Sequence, residues 1–246
     1  LAAAAAAVYH RRAEMLQRKQ AELERFVTRA LTGGSLPQDA VVCRVAIGDP
    51  ADEILRAASS HACDLIVMGT QGLDGADKWF MGSTVEHVLR RATVPVLALP
   101  KGRGRTAAPF GRVVAPVDLG RGWTRDVSAA ASLARWLETE LTLVHVIPPT
   151  PLVPWLRTRD AALDRRRVAA VRAVLERATA ALTRNLKTKC KVVIGKPADA
   201  IAAEAATGAA CLVVMALRGE HGFLGRRRGS IAYSVLTRAV APVFAL

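Results

Sequence analysis

The stretch Cys43-Arg44-Val45-Ala46-Ile47-Gly48-Asp49-Pro50-Ala51-Asp52 returns 147 positions later as Cys190-Lys191-Val192-Val193-Ile194-Gly195-Lys196-Pro197-Ala198-Asp199. A repeat of this kind decides the architecture before any motif does, because each copy must build the same unit. The same ungapped offset carries Gly72 to Gly219, Gly82 to Gly229, Ser83 to Ser230 and Pro95 to Pro242. Roughly 25 of about 57 aligned positions are identical, far above chance. The chain therefore reads as two homologous domains in tandem, residues 1–100 and 110–246. The segment 101–109, with lysine, glycine and arginine between Pro100 and Pro109, reads as their linker. Carried backwards, the offset places Leu1 opposite Pro148, so the first repeat lacks counterparts for a strand, a helix and a second strand, roughly 35 residues. Together with an opening on Leu1 rather than Met, this leads us to expect that the first repeat is N-terminally incomplete. The low-complexity run Ala2–Ala7 does not by itself decide for helix.

Working outward, the strand-like runs are short, apolar and β-branched, and they alternate with helical periods. In the second repeat Arg112–Asp118 and Leu141–Ile147 read as buried parallel strands. Between them Val127, Ala130, Ala131, Ala134 and Leu137 recur at helical spacing over 124–138. A longer arginine-studded helix over 160–186 follows, then strand 190–194, helix 198–207, strand Leu212–Met215, a glycine-rich loop, helix 230–239 and strand Pro242–Leu246. The first repeat retains helix 8–31, strand 41–47, helix 51–61, strand 65–68, a loop, helix 83–92 and strand 95–99. Such alternation predicts an α/β fold, two tandem doubly wound parallel-sheet domains. The short apolar terminal strands Pro95–Leu99 and Pro242–Leu246 would be exposed edges unless they pair, which predicts an intramolecular pseudo-dimer about an approximate two-fold axis.

Composition narrows the class. Of 246 residues 51% are hydrophobic and 23% charged, the balance of an ordinary globular protein, and no uncharged apolar window long enough for a membrane span occurs. No basic-then-apolar signal segment stands at the start, and four cysteines without a CxxC pair make no disulfide framework; a soluble protein of the cytoplasm is expected. The net charge of +14 is uneven: residues 1–104 carry 13 basic and 11 acidic side chains, residues 105–246 carry 22 and 10. Without interleaved aromatics the basic half does not read as a nucleic-acid surface.

The chemistry is concentrated after strand Leu65-Ile66-Val67-Met68. Gly69-Thr70-Gln71-Gly72 follows, then nine residues, then Gly82-Ser83-Thr84 opening a helix. Ligands of open α/β sheets lie beyond the carboxyl ends of the strands, and a helix N-terminus offers N–H groups and a positive dipole end to phosphate. Glycines at 69, 72 and 82 permit positive φ and close backbone approach to an anion. The pattern is neither a Walker loop nor a dinucleotide fingerprint. The same residues also read as a capping box, Ser83 with Glu86, with glycines that merely serve turns.

Gly-x2-Gly-x9-Gly-Ser after a strand ending Val-Met, followed by Val88-Leu89-Arg90-Arg91-Ala92 and Val94-Pro95-Val96, closely resembles the ATP-binding signature of the universal stress protein family. Gly195-Lys196-Pro197-Ala198, Ala115-Pro116-Val117-Asp118 and His145-Val146 match further landmarks, so the resemblance covers nearly the whole chain. It implies strand order 3-2-1-4-5, bound ATP with or without Mg2+, and dimers joined through the last strand, with homo-oligomers as the family's habit. By position, Met68, Gly69, Thr70, Gly72, Gly82, Ser83 and Thr84 would hold ribose and phosphates in the first repeat. In the second, Asp118 matches the acidic residue ending the first strand and Val146 the adenine contact. Gly219, Gly229 and Ser230 match the loop. The departure is Ala216, followed by Leu217-Arg218, where the first glycine belongs; a β-carbon there obstructs the phosphate path, so unequal sites are expected. The first repeat's adenine-side residues belong to its absent first strand, so weak ATP binding is expected there until an N-terminal extension completes it.

Other residues read more plainly. Arg226-Arg227-Arg228 before Gly229 is either an anion grip or a solvated loop, and Arg165-Arg166-Arg167 is a solvated helix face. His145 reads as a strand-end core residue, and Cys43 and Cys190 as small buried hydrophobes. No metal-ligand spacing, no GxSxG and no nucleophile with a base can be assembled, so no catalytic residue is assigned. Two other readings share the fold: an ATP pyrophosphatase, against which the lack of an SGGxDS-type loop counts, and a nucleotide-free scaffold in which the glycine loop is structural.

Overall fold

A computed structural model describes residues 2–32, 37–70, 82–100, 110–120, 122–149, 161–207, 211–217, 231–238 and 241–246. The chain divides into two compact units, Leu1–Glu53 and Ile54–Leu246. The linker 101–109 and the residues Gly72, Gly219, Gly229, Ser230 and Arg226–Arg228 lie outside the described residues.

The first unit holds α1 (Ala2–Leu31), a 3-10 turn at Gln38–Ala40 and the start of α2 (Pro50–Ser60). The Asp49 carboxylate accepts the N–H groups of Ala51 (3.0 Å) and Asp52 (3.2 Å), which starts α2 behind Pro50. The strand expected over 41–47 forms no ladder. Its counterpart in the second repeat pairs with a strand whose own counterpart has no residues in this sequence, and a strand without a neighbour is only an extended segment.

The second unit is built on one seven-stranded sheet. Its strands are β1 (Ile66–Gly69), β2 (Val96–Leu99), β3 (Arg112–Pro116), β4 (Glu140–Ile147), β5 (Thr188–Ile194), β6 (Cys211–Met215) and β7 (Val243–Ala245). The helices are α3 (Ser83–Arg91), α4 (Trp123–Trp136), α5 (Ala161–Thr179), α6 (Pro197–Ala206) and α7 (Ile231–Arg238). The order is β1-β2-β7-β6-β3-β4-β5, which for the second repeat is 3-2-1-4-5 as expected. Every neighbouring pair is parallel except β2 with β7.

That antiparallel pair is the pseudo-dimer junction. Leu97 faces Phe244, its own counterpart under the 147 offset, while Val96 faces Ala245 and Ala98 faces Val243. The local two-fold axis therefore passes between Leu97 and Phe244. The symmetry extends to single bonds: Ile66 N–H donates to Pro95 O (3.0 Å) as Val213 N–H does to Pro242 O (2.9 Å). Closure through the terminal strands removes the edges that two separate domains would each expose.

The second repeat packs around β3 and β4, whose Val113, Leu141 and Leu143 are fully buried with Val127, Ala130, Ala131 and Ala134 of α4. Small residues on α4 let it lie close to the sheet. α5 ends at Thr179, earlier than the 186 expected; the Thr179 hydroxyl donates back to Leu175 O (2.7 Å), and a turn carries the chain to Asn185 at φ 61. At the β5 edge Glu140 accepts from Lys187 and, at 2.8 Å, from Lys189. The Lys187 bond first and the Lys189 bond second hold its carboxyl down to about 2 from an ordinary 4.5. A depressed carboxylate stabilises the fold above its unfolded pKa and loses that contribution as pH falls through the folded one. Urea midpoints are therefore expected to drop as pH falls from 4.5 towards 2, and to drop less in Glu140→Gln.

Candidate functional site

Parallel strands of one repeat end on the same side, so the expected site residues are gathered by topology. In the first repeat β1 ends at Gly69, which is exposed, after a half-buried Met68. Thr70 is buried; its N–H donates to Leu99 O (2.9 Å) and its carbonyl accepts from Gly82 N–H (3.0 Å). This pair of bonds fixes the start of α3 beside the end of β1. The second repeat copies the first half of the arrangement: Leu217 N–H donates to Leu246 O (3.2 Å).

The start of α3 decides between the two readings of Ser83. Gly82 is the N-cap, at φ −60 and ψ 144, and no side chain caps the helix. Ser83 is already the first helical residue, so it makes no capping box. Glu86, the other half of that box, instead pairs with Arg90 Nη2 at 2.9 Å. Ser83 is exposed and Thr84 half-buried. Among the described glycines, positive φ occurs at Gly122 (φ 83), the N-cap of α4, and not at Gly69 or Gly82, so the conformational argument fails for both. Among the described residues, a β-carbon built at Gly82 meets nothing nearer than Thr70 O at 3.9 Å. Nothing among those residues crowds a side chain there.

In the second repeat Asp118 is exposed just past β3, and its carboxylate accepts Gly120 N–H at 2.8 Å in an Asx turn. His145 Nδ1 lies 2.7 Å from Val117 O, and Val117 N–H donates to Val144 O (2.8 Å). These bonds fix the ends of β3 and β4 together and leave Val146 half-buried beside them. Ala216 follows β6 at the position of Gly69 and is half-buried.

Sequence reasoning missed Asp126, in the first turn of α4. Burial first, and the Asp118 charge second, push its carboxyl above the ordinary value. The available signal was an acid eight positions after Asp118 in a helix opening on Gly122. A raised carboxyl binds its proton more tightly in the folded state, so ionisation at neutral pH weakens the fold. Asp126→Asn is expected to raise the urea midpoint at pH 7, with the gain vanishing as pH falls through the carboxylate range.

Cys190 is half-buried, and burial pushes its thiol up, as befits a packing residue. Cys43 is also half-buried, while Arg165 and Arg166 are exposed. Among the described residues no group of His, Cys, Asp and Glu could hold a metal, and no helix is long and apolar enough to cross a membrane.

Comparison with known proteins adds a second line. A model of the universal stress protein family matches residues 1–100 and again 109–246. A universal stress protein of Thermus aquaticus is 42% identical over 87 residues, 34% of this chain and 60% of that protein. The chain therefore spans less than two thirds of that curated relative. The crystal structure of a universal stress protein from Archaeoglobus fulgidus is similar over 94% of this chain and 77% of that one, at TM-score 0.65 and 23% identity, a likeness of fold.

Proposed function

We propose, since this chain belongs to the universal stress protein family, that it binds adenine nucleotide, ATP in particular, beyond the carboxyl ends of its strands, and that occupancy tunes its protein interactions in stress response or metabolic adaptation. Its domains are 1–100 and 110–246, joined by 101–109, working in the cytoplasm. Met68, Gly69, Thr70, Gly72, Gly82, Ser83 and Thr84 hold ribose and phosphates in the first repeat. Asp118, Val146, Gly219, Gly229 and Ser230 form the second site.

The start of α3 carries this reading. A helix that begins on Gly82 without a side-chain cap, pinned beside the end of β1, turns its first-turn N–H groups and dipole towards the space where phosphate sits in such folds. Mg2+, where present, accompanies the phosphates.

Mass spectrometry of nucleotide carried through purification tests the reading directly, and protein free of adenine nucleotide that also shows no heat on ATP titration would refute it. The second site adds its own check. If the β-carbon of Ala216 crowds the phosphates, Ala216→Gly should tighten ATP at the second repeat by about threefold to tenfold, judged by competition titration. An unchanged affinity would show that Ala216 is not the obstruction.

A further inference from the structure

The second repeat carries a buried charge cluster that the sequence of the first does not repeat. Glu204 on α6, 7% exposed, receives two cations: Arg112 Nη1 lies 3.1 Å from Oε1, and Lys191 Nζ bonds Oε2. Two cations on one carboxylate leave the cluster with a positive charge in excess, and an excess charge partly withdrawn from water favours an anion beside it. Arg112 turns its Nη groups to Glu204 and Thr207. Lys191 is 47% exposed, and it uses one ammonium N–H on Glu204 and, among the described residues, none elsewhere. Its remaining donors are open to an anion.

A groove of about 220 Å³ lies against this cluster, between α6 and the β4–β5 edge of the sheet. Lys191, Glu204 and Thr207 form its polar side, and Val144 and Val193 of the sheet with Ala200 and Ala203 of α6 form its apolar side. The 147 offset shows what opens it. Ala200 and Ala203 stand where the first repeat has Glu53 and Arg56, while Glu204 stands where it has Ala57. The substitutions that clear the space and the one that charges it thus occur within one turn of the same helix, and they belong to this repeat rather than to the fold. At this volume, below the ~300–1,000 Å³ of sites for larger ligands, the occupant is short.

We propose that the groove binds a short aliphatic carboxylate, of about four to eight carbons, with its headgroup on Lys191 Nζ and its chain along Val144, Val193 and Ala203. A single side-chain cation suits a monoanion, and an apolar side opposite it suits a hydrocarbon chain rather than a bare phosphate. The site needs no nucleotide, and Val146, the expected adenine contact, is not among its lining residues.

Titration of the 246-residue chain with hexanoate, followed by amide NMR shifts and repeated with hexanol and with acetate, tests the proposal on the unaltered protein. Hexanoate is expected to shift the amides of Lys191, Val193 and Ala203 saturably, with a dissociation constant on the order of 1 mM. Hexanol, which lacks the charge, and acetate, which lacks the chain, should each bind at least ~10-fold more weakly. No saturable shift below ~20 mM hexanoate overturns the proposal. Hexanol binding as tightly as hexanoate does the same, since Lys191 would then have no part. ATP added to the titration should leave hexanoate affinity unchanged, and displacement by ATP would move the ligand to the nucleotide site and overturn the assignment. Ala203→Leu, at an exposed position on α6, is expected to fill the groove and abolish the shifts without lowering the melting temperature. Lys191→Gln should weaken hexanoate at least ~10-fold and leave hexanol where it was. Hexanoate binding that survives both substitutions would show that it lies elsewhere.

Discussion

Gly82→Val, in a chain whose first repeat is completed by an added strand–helix–strand segment, is expected to weaken ATP binding at that repeat at least ~10-fold, about 1.4 kcal/mol, with little change in melting temperature. The backbone at Gly82 has φ −60 and ψ 144, which valine adopts without strain. Among the described residues the nearest atom to a β-carbon there is Thr70 O at 3.9 Å, an ordinary contact. The substitution therefore leaves the fold alone and places two methyl groups where phosphate must approach the first turn of α3. Titration calorimetry and thermal melting on the same sample separate the two effects. Unchanged affinity would remove Gly82 from the site, and a large fall in melting temperature would reassign the glycine to structure.

Glu204→Ala is expected to destabilise the second repeat strongly. Glu204 on α6 is buried, its carboxylate 3.1 Å from Arg112 Nη1 and also bonded by Lys191 Nζ. Arg112 opens β3 and ties the end of α6 down further, through Thr207 Oγ1 at 2.8 Å and the carbonyls of Glu204 and Thr207. Among the described residues its buried Nε has no partner even in the intact protein. Removing the carboxylate leaves a largely buried guanidinium with the Thr207 hydroxyl and neutral carbonyls but without its counter-charge, a loss of about 3 kcal/mol. For a chain of this size that corresponds to a fall of ~6–12 °C in melting temperature. Glu204→Gln, which keeps the shape and one acceptor, should lose about half as much. A fall of less than ~2 °C in the alanine variant would place the cluster among ordinary surface pairs.

These two residues also mark what a single sequence discloses. The helix start at Gly82 was legible because it belongs to a local pattern read twice at one offset, and the β2–β7 junction was legible because two apolar terminal strands at that offset had to be hidden. Arg112 and Glu204 were not: they are 92 positions apart, and a charged residue at a strand start or in a helix reads as solvated until the fold brings the pair together. The extended run 41–47 failed for the complementary reason, since strand propensity was present in Val41-Val42 and Val45 but no neighbour was. Ser83 failed through register, because Ser-x-x-Glu resembles a cap wherever it falls and the Thr70 to Gly82 bond moves the helix start one residue earlier. Asp126 escaped notice because its chemistry comes from burial and from Asp118 across a turn.

We propose that ATP at the start of α3 takes its adenine side from the strands that the 147-residue offset places ahead of Leu1. Most small-ligand sites enclose ~70–90% of the ligand, so a phosphate cradle with the base uncovered binds weakly although its loop is folded. Isothermal titration of ATP into the 246-residue chain and into the chain completed ahead of Leu1 tests this most directly. Weak binding at the first repeat of the former and clearly tighter, saturable binding in the latter are expected. Equal and tight binding by both, or none by either, would refute that assignment.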